Sequence, residues 1–131
     1  MAGAHEKFVG ALGTAAIKVC GLEMGRTGMS EKDAARLGID YRTKLVTAND
    51  HPAYYPDPTK LVIKLIYETR TRRLLGACAA GEKGAVMRAD IFAVAIHAGM
   101  TTDELGMVDL AYAPPFSGVW DAVHIAANAA K

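Results

Sequence analysis

Hydrophobic and polar residues alternate in two stretches of the chain, as they do in half-buried β-strands. These stretches are Tyr41–Ala48 and Leu61–Glu68, and the apolar run Leu74–Gly81 follows the second after a short turn over Thr69–Arg73. The second stretch and this run therefore predict a β-hairpin. The apolar, partly β-branched run Ala15–Leu22 predicts one more strand near the start of the chain.

Helical signals appear between these strands and after them. Ser30 is placed to cap the amino end of a helix, acidic residues fill the first turn, and Gly38 is the expected left-handed stop. After Gly84, the apolar residues of Ala85–Met100 cover most of a helix circumference. Such a helix must be covered on more than one side, so we expect the sheet on one side and a partner subunit on the other.

Two further helices complete the predicted fold. Thr101 is placed to cap a short helix, and the segment Trp120–Ala129 is predicted to form the last helix. Strands precede helices and no strand–helix–strand alternation is present. The order predicts an α+β fold in which helices cover an antiparallel sheet.

Two proline-rich loops interrupt the regular pattern. The loop Asn49–Thr59 is the longest irregular connection, and Ala111–Ser117 contains the pair Pro114-Pro115. Proline fixes φ and lacks an N–H, so neither segment fits a helix or a central strand. The second loop would hold Tyr112 and Phe116 at set angles. Long ordered loops often carry binding or catalytic groups.

Composition narrows the class of protein. The chain has 131 residues, of which 51% are hydrophobic and 22% charged, with a formal net charge of +1. That length predicts one domain with a genuine core. A concentrated basic face for nucleic acid or anionic lipid is not expected from this balance. Charged residues interrupt every apolar run, so we expect neither a signal peptide nor a membrane span, and a cytoplasmic location.

The cysteines and histidines offer no obvious reactive site. Cys20 and Cys78 are far apart and in no CxxC pattern, and we interpret both as small buried residues on strands. His51, His97 and His124 stand in separate elements without metal-ligand spacing, so no metal site is predicted.

Nucleotide-binding motifs are also missing from the sequence. No G-x-G-x-x-G or G-K-[ST] motif is present, so we expect the chain alone to bind neither FAD nor NAD(P)H. The arginines of the turn Thr69–Arg73, with Lys60 and Lys64 nearby in sequence, are interpreted as a solvated turn. The alternative is that they contact a phosphate group of a ligand.

Several motifs, in their order and spacing, carry a family resemblance over nearly the whole chain. They are Leu12–Val19, Arg26–Ser30, Gly76–Gly84, Arg88–Ile91, Ala98–Leu105 and Asp109–Ser117, read together with Ala53-Tyr54-Tyr55-Pro56. On these residues the chain resembles the C-terminal dimerisation domain of the FAD-dependent pyridine nucleotide-disulfide oxidoreductases, in the coenzyme A-disulfide reductase and NADH oxidase branch. It therefore looks like a piece of a larger enzyme.

The resemblance implies a function for the full-length protein. It implies a head-to-tail homodimer with FAD and NAD(P)H, in which each active site joins one subunit's flavin and redox cysteine to the other's C-terminal domain. The implied role is redox homeostasis, with coenzyme A disulfide, another small disulfide, a persulfide, peroxide or oxygen as the electron acceptor. By position, Tyr54 and Tyr112 match two functional tyrosines of the family, with Tyr55 as the competitor of Tyr54. A phenol can hydrogen-bond to, or protonate, an expelled thiolate.

Other residues are assigned by the same resemblance. Pro115 and Phe116 are expected to lie against the flavin edge or at the dimer interface. The family usually has Gly after Tyr-Tyr-Pro and His-Ala-Gly before the tyrosines, where this chain has Asp57 and His51-Pro52-Ala53. Asp57 would disfavour a thiolate if its side chain pointed into the site, which leaves the disulfide substrate open.

The resemblance also divides the chain. It implies that residues 1–25 are the lead-in from the FAD domain and that residues 26–131 are the dimerisation domain. Separately, the Gly/Ala-rich composition of residues 1–14 predicts an irregular segment. The alternative function is a free-standing homodimeric interaction module without redox activity.

Overall fold

The computed structural model describes residues 7–131, and what was expected of residues 1–6 lies outside them. Five strands occur in this part of the chain: β1 (Ala15–Val19), β2 (Leu22–Gly28), β3 (Tyr41–Asn49), β4 (Lys60–Glu68) and β5 (Leu74–Gly81). The helices are α1 (Glu31–Arg36), α2 (Ala85–His97), α3 (Thr102–Leu105) and α4 (Ala122–Ala129).

The strands form one antiparallel sheet in the order β1-β2-β5-β4-β3. Helix α2 packs on β2 and β5, and α4 packs on β3 and β4. Helix α1 lies on the opposite face, where Glu31 forms an ion pair with Lys64 of β4. The predicted class, an α+β fold with helices over an antiparallel sheet, is confirmed.

The core lies between the sheet and helices α2 and α4. Alternate residues of β4, including Leu61, Ile63 and Leu65, are fully buried there, and Phe92 and Val123 meet them from the two helices. Period-two alternation of β4 sends these side chains to the helix-covered face. The opposite face of β1 and β2 stays largely exposed and apolar.

Most of the predicted elements are confirmed within a residue or two. Strands β3, β4 and β5, the β4–β5 hairpin and the capping roles of Ser30 and Thr101 are as expected. Gly38 adopts the left-handed conformation, with φ 68°. Helix α2 ends at His97 rather than Met100, and α4 begins at Ala122, because Asp121 is its cap.

One strand was missed. The predicted strand Ala15–Leu22 is wrong at its end: β1 stops at Val19, and the chain reverses through Cys20 and Gly21 into β2. Both turn residues have positive φ, 48° and 81°, as two-residue hairpin turns require. A Gly in the second turn position was the available signal. The boundary at residues 25/26 stays a prediction, and it falls inside β2.

The interpretation of both cysteines as buried strand residues is also wrong. Both thiols are exposed, Cys20 in the β1–β2 turn and Cys78 on β5. Cys78 alternates with Ala77 and Ala79, which face the core, so it points to the open side of the sheet. Small size and an apolar neighbourhood in sequence did not indicate which face of the sheet was covered.

Helix α2 packs tightly against β2, where Gly25 lies beneath it. A Cβ built on Gly25 would come within 2.6 Å of the Ala89 Cβ. Small residues on both elements therefore set the height of α2 above the sheet. No helix within residues 7–131 has the length and apolar character needed to cross a lipid bilayer.

We predict that Gly25→Ala lowers the free energy of unfolding by about 1–3 kcal/mol, because the added methyl group overpacks the α2–sheet contact. Arg26→Ala, at the exposed neighbouring position, is the matched control and should change it by no more than about 0.5 kcal/mol. Urea titration of the chain measures both. Equal, small effects would contradict the close contact.

Candidate functional site

Two loops bring the two predicted tyrosines together at one end of the sheet. They are the β3–β4 loop (residues 50–59), which carries Tyr54, and the α3–α4 loop (residues 106–121), which carries Tyr112. The two phenol oxygens are 3.4 Å apart, although the residues are 58 positions apart in sequence. Either hydroxyl can donate to the other.

The β3–β4 loop is closed by hydrogen bonds from its first residue. The Asp50 carboxylate accepts the backbone N–H groups of Thr59 (2.7 Å) and His51 (3.0 Å), and it contacts His51 Nδ1 at 3.0 Å. His51 Nε2 lies 3.0 Å from the Pro56 carbonyl oxygen. Burial alone would raise the pKa of Asp50, but the hydrogen bonds from Thr59 and His51 outweigh it and lower that pKa. The carboxylate thereby fixes the loop that presents Tyr54.

The α3–α4 loop is tied at its carboxyl end by Asp121. The Ala113 carbonyl accepts the N–H groups of Phe116 (2.9 Å) and Ser117 (3.0 Å), which forms a tight turn around the proline pair. The Ser117 hydroxyl lies 2.9 Å from Asp121 Oδ2, and Asp121 Oδ1 accepts the Val123 N–H at 2.8 Å. This buried carboxylate thus caps α4 and holds the loop at the same time.

His124 supports the same cap from the other side. The Asp121 N–H donates to His124 Nδ1 at 3.1 Å, so the hydrogen on the neutral ring is at Nε2, which donates to the Val108 carbonyl at 2.8 Å. Both nitrogens of this buried ring are therefore occupied by backbone partners. Its role is structural, and it does not face the tyrosines as an acid or a base.

Arg88, in the first turn of α2, contacts both loops. Its guanidinium pairs with Asp121 at 2.7 Å and donates to the Asp50 carbonyl oxygen at 2.8 Å. Burial alone would raise the pKa of Asp121, but Arg88, the Val123 N–H and the Ser117 hydroxyl outweigh it, and that pKa is lowered. No role was predicted for Arg88, Asp50 or Asp121. The contacts of Arg88 with the two loops join residues 28 to 38 positions apart, and Asp121 fell inside the predicted helix Trp120–Ala129.

The phenol pair lies at the surface, with Tyr54 73% and Tyr112 52% exposed. The hydrogen bond with Tyr112 raises the pKa of Tyr54 above its usual value, so Tyr54 keeps its proton over the physiological pH range. Tyr55 instead packs edge-on against the ring of His51, with centroids 5.5 Å apart. The pair therefore presents two exposed phenol hydroxyls that can take part in hydrogen bonds.

An open cavity of about 720 Å³ is lined by residues of both loops, and Tyr55 rather than Tyr54 or Tyr112 is among them. Pro115 and Phe116 stand at it, and Phe116 is 76% exposed. Asp57 also lines it and has φ 58°, a left-handed conformation that glycine adopts without strain. Asp57, which stands where the family usually has glycine, therefore occupies a position whose backbone conformation favours glycine.

Other candidates from the sequence are not brought to this cavity. The turn Thr69–Arg73 joins the far ends of β4 and β5, and Arg72 forms an ion pair there with Asp103. This placement favours the solvated-turn interpretation over a phosphate contact near the tyrosines. Among residues 7–131, no group of three or more His, Cys, Asp or Glu side chains is arranged to hold a metal ion.

Residues 14–123 match the family model described as the pyridine nucleotide-disulphide oxidoreductase, dimerisation domain. The match covers most of the chain, so the chain belongs to this family as a dimerisation domain, and the predicted family is confirmed.

The similar proteins are larger oxidoreductases. The whole chain is 41% identical to 29% of the NAD(P)H sulfur oxidoreductase (CoA-dependent) of Pyrococcus furiosus. Over 95% of the chain, it is 32% identical to 28% of a coenzyme A disulfide reductase of Staphylococcus aureus. The chain thus spans less than a third of the length of these curated relatives.

Solved structures agree in fold. A NAD-dependent persulfide reductase from A. fulgidus superposes with a TM-score of 0.93 and 38% identity over 96% of this chain and 23% of that one. The water-forming NADH oxidase of Lactobacillus brevis has a TM-score of 0.91 over 95% of this chain and 28% of that one. At 24% identity it supports the fold alone. The alternative of a non-redox interaction module gains no support from these relatives.

We predict that acid destabilises the chain through the buried carboxylates of Asp50 and Asp121. Because the folded-state pKa values of Asp50 and Asp121 lie below the unfolded value of about 3.9, their stabilisation is complete above that pH and is lost as the pH falls through the folded values. The free energy of unfolding, measured by urea titration, should therefore decline below about pH 4.

Asp121→Asn should reduce that decline and, at pH 7, lower the free energy of unfolding by about 3 kcal/mol, since it leaves the buried Arg88 without its counter-ion. Asp103→Asn, which removes the partner of Arg72 at an exposed site, is the control and should cost less than about 1 kcal/mol. An undiminished acid decline in Asp121→Asn would contradict the assignment.

Proposed function

We propose that this chain serves as the dimerisation domain of a FAD- and NAD(P)H-dependent disulfide or persulfide oxidoreductase, and that Tyr54 and Tyr112 contribute to the active site of the partner subunit. The observation that carries the proposal is the pairing of the two phenols, which come from two separate loops and face outwards. Residues whose task was internal packing would be buried instead.

The proposed chemistry of the pair is proton delivery. When a thiolate attacks one sulfur of a disulfide, a new S–S bond forms, the old one breaks, and the other sulfur leaves as a thiolate. A neutral phenol can donate its hydrogen to that sulfur, and the phenolate is then reprotonated from solvent. The hydrogen bond between Tyr54 and Tyr112 lets one phenol support the other as it donates.

The choice of Tyr54 over Tyr55 follows from their neighbours. Tyr54 faces Tyr112 across 3.4 Å, whereas the ring of Tyr55 packs on His51. We therefore assign the reactive pair to Tyr54 and Tyr112, and a supporting role to Tyr55.

The residues that the structure describes suit contact with the edge of a flavin, but they do not form a binding site for the whole cofactor. Pro115 and Phe116 present an exposed apolar surface beside the cavity, which suits an aromatic ring system supplied by another subunit. No phosphate-binding fingerprint is present in the sequence. A bound flavin would supply electrons from NAD(P)H, and this chain's residues would supply its apolar border and the protons. The chain alone is expected to be inactive.

The electron acceptor is proposed from the named relatives. Those at 32–41% identity are named as acting on sulfur with coenzyme A or on coenzyme A disulfide. A disulfide or persulfide of coenzyme A is therefore preferred here to oxygen or peroxide, in a cytoplasmic homodimer. We keep residues 26–131 as the proposed dimerisation domain and residues 1–25 as its lead-in.

The test uses Tyr112→Phe in the complete oxidoreductase. Turnover of coenzyme A disulfide should fall at least about tenfold, because a general acid is lost. Flavin reduction by NAD(P)H, followed by stopped-flow absorbance, should be normal, since the phenol takes no part in it. Tyr55→Phe is the matched control and should turn over normally. Unchanged turnover in Tyr112→Phe would refute the proposed role.

A further inference from the structure

The guanidinium of Arg88 lies between the two tyrosine-bearing loops and is almost completely buried, with 10% of its side chain exposed. Nη2 donates to the Asp50 carbonyl at 2.8 Å and to Asp121 Oδ2 at 2.7 Å, and it lies 3.3 Å from the Phe116 carbonyl. Nε reaches Asp121 Oδ1 at 3.4 Å. One nitrogen thus contacts the backbone of the β3–β4 loop and that of the α3–α4 loop.

These two backbone contacts lie close to the tyrosines in sequence. Asp50 is four residues before Tyr54, and Phe116 is four residues after Tyr112. Each loop is also stiffened by its own hydrogen bonds: the Asp50 carboxylate accepts the N–H groups of His51 and Thr59, and the Ala113 carbonyl accepts those of Phe116 and Ser117. A change in the separation of the loops at Arg88 is therefore passed on to the phenols.

We propose that Arg88 is a positioning residue that fixes the separation of the two loops and so holds Tyr54 and Tyr112 within hydrogen-bonding reach. The inference rests on the proposed function of the tyrosines, and it goes beyond it by assigning the origin of their geometry to a residue that touches neither phenol.

The contacts at this site require arginine rather than lysine. A guanidinium is a planar fork that can bind the Asp121 carboxylate with two nitrogens and still direct a hydrogen at a backbone carbonyl. Nη1 also approaches the Gly84 carbonyl at 3.3 Å, and a Cβ on Gly84 would overlap Nη1. The site is therefore built around this group. An ammonium could neutralise Asp121, but it could not keep the same fork.

The test is Arg88→Lys in the complete oxidoreductase, because this change keeps the charge beside Asp121 and removes the fork. Turnover of coenzyme A disulfide should fall about ten- to a hundredfold, as expected when reacting groups are displaced by about 1 Å. The loss should be in kcat more than in KM, and flavin reduction by NAD(P)H should stay normal. Arg72→Lys, at the exposed pair with Asp103, is the matched control and should have no effect.

A double-mutant cycle with Tyr112→Phe separates positioning from general stability. If Arg88 acts through the phenol pair, adding Arg88→Lys to Tyr112→Phe costs little further activity, whereas independent structural damage would multiply the two losses. A crystal structure of Arg88→Lys should also show the phenol oxygens beyond hydrogen-bonding distance. Normal turnover or multiplicative losses would overturn the proposal.

The two proposals fail in distinguishable ways. If Tyr112→Phe is harmless, the role of the tyrosines is wrong. If it impairs turnover while Arg88→Lys does not, only the positioning role of Arg88 is wrong. If the lysine variant does not fold, Arg88→Gln combined with Asp121→Asn replaces it, because this double change removes the guanidinium fork without leaving a buried charge unpaired, and the same outcomes apply to it.

Discussion

The arrangement of the candidate site depends on one buried ion pair, between Arg88 of α2 and Asp121 at the start of α4. A buried ion pair contributes little net stability, because the loss of hydration costs about as much as the attraction returns. Its value here is geometric. The guanidinium and the carboxylate are each hydrogen-bonded to further groups, so α2, the cap of α4 and both tyrosine loops meet at fixed distances.

That pair is itself placed by the way α2 rests on the sheet. Gly25 and Ala89 allow the helix to lie low over β2, and Gly81 and Gly84 lead from β5 directly into its first turn. Arg88 consequently enters the space between the two loops at the end of the sheet. The abundance of small residues in this chain is thus part of how the site is formed, since larger side chains at these positions would lift or shift α2.

Much of the fold follows from local signals. Alternation in β3 and β4, the caps at Ser30 and Thr101 and the stop at Gly38 are short-range effects, and the structure agrees with them. The errors came from information that is not local. Whether Cys78 is covered depends on which face of the sheet carries helices, and the turn at Gly21 was hidden inside an apolar run.

The candidate site, too, was only partly predictable from local sequence signals. The family resemblance assigned both Tyr54 and Tyr112 to one active site, but their contact at 3.4 Å could not be predicted from the sequence. Asp50 and Asp121 resemble ordinary turn and cap residues, and Arg88 resembles a solvated helix charge. Their burial and shared contacts arise only when α2, α4 and the sheet have packed together.

The central claim is that this chain lends its phenols to a neighbouring subunit, and subunit complementation tests it most directly. One form of the complete enzyme carries Tyr54→Phe with Tyr112→Phe, and the other carries serine in place of the redox cysteine that the family resemblance implies. Each alone should be nearly inactive towards coenzyme A disulfide. After the subunits are mixed equally and allowed to exchange, shared sites predict recovery of about a quarter of normal activity, since half of the dimers then hold one intact site. No recovery, with mixed dimers demonstrated by mass spectrometry, would contradict the account.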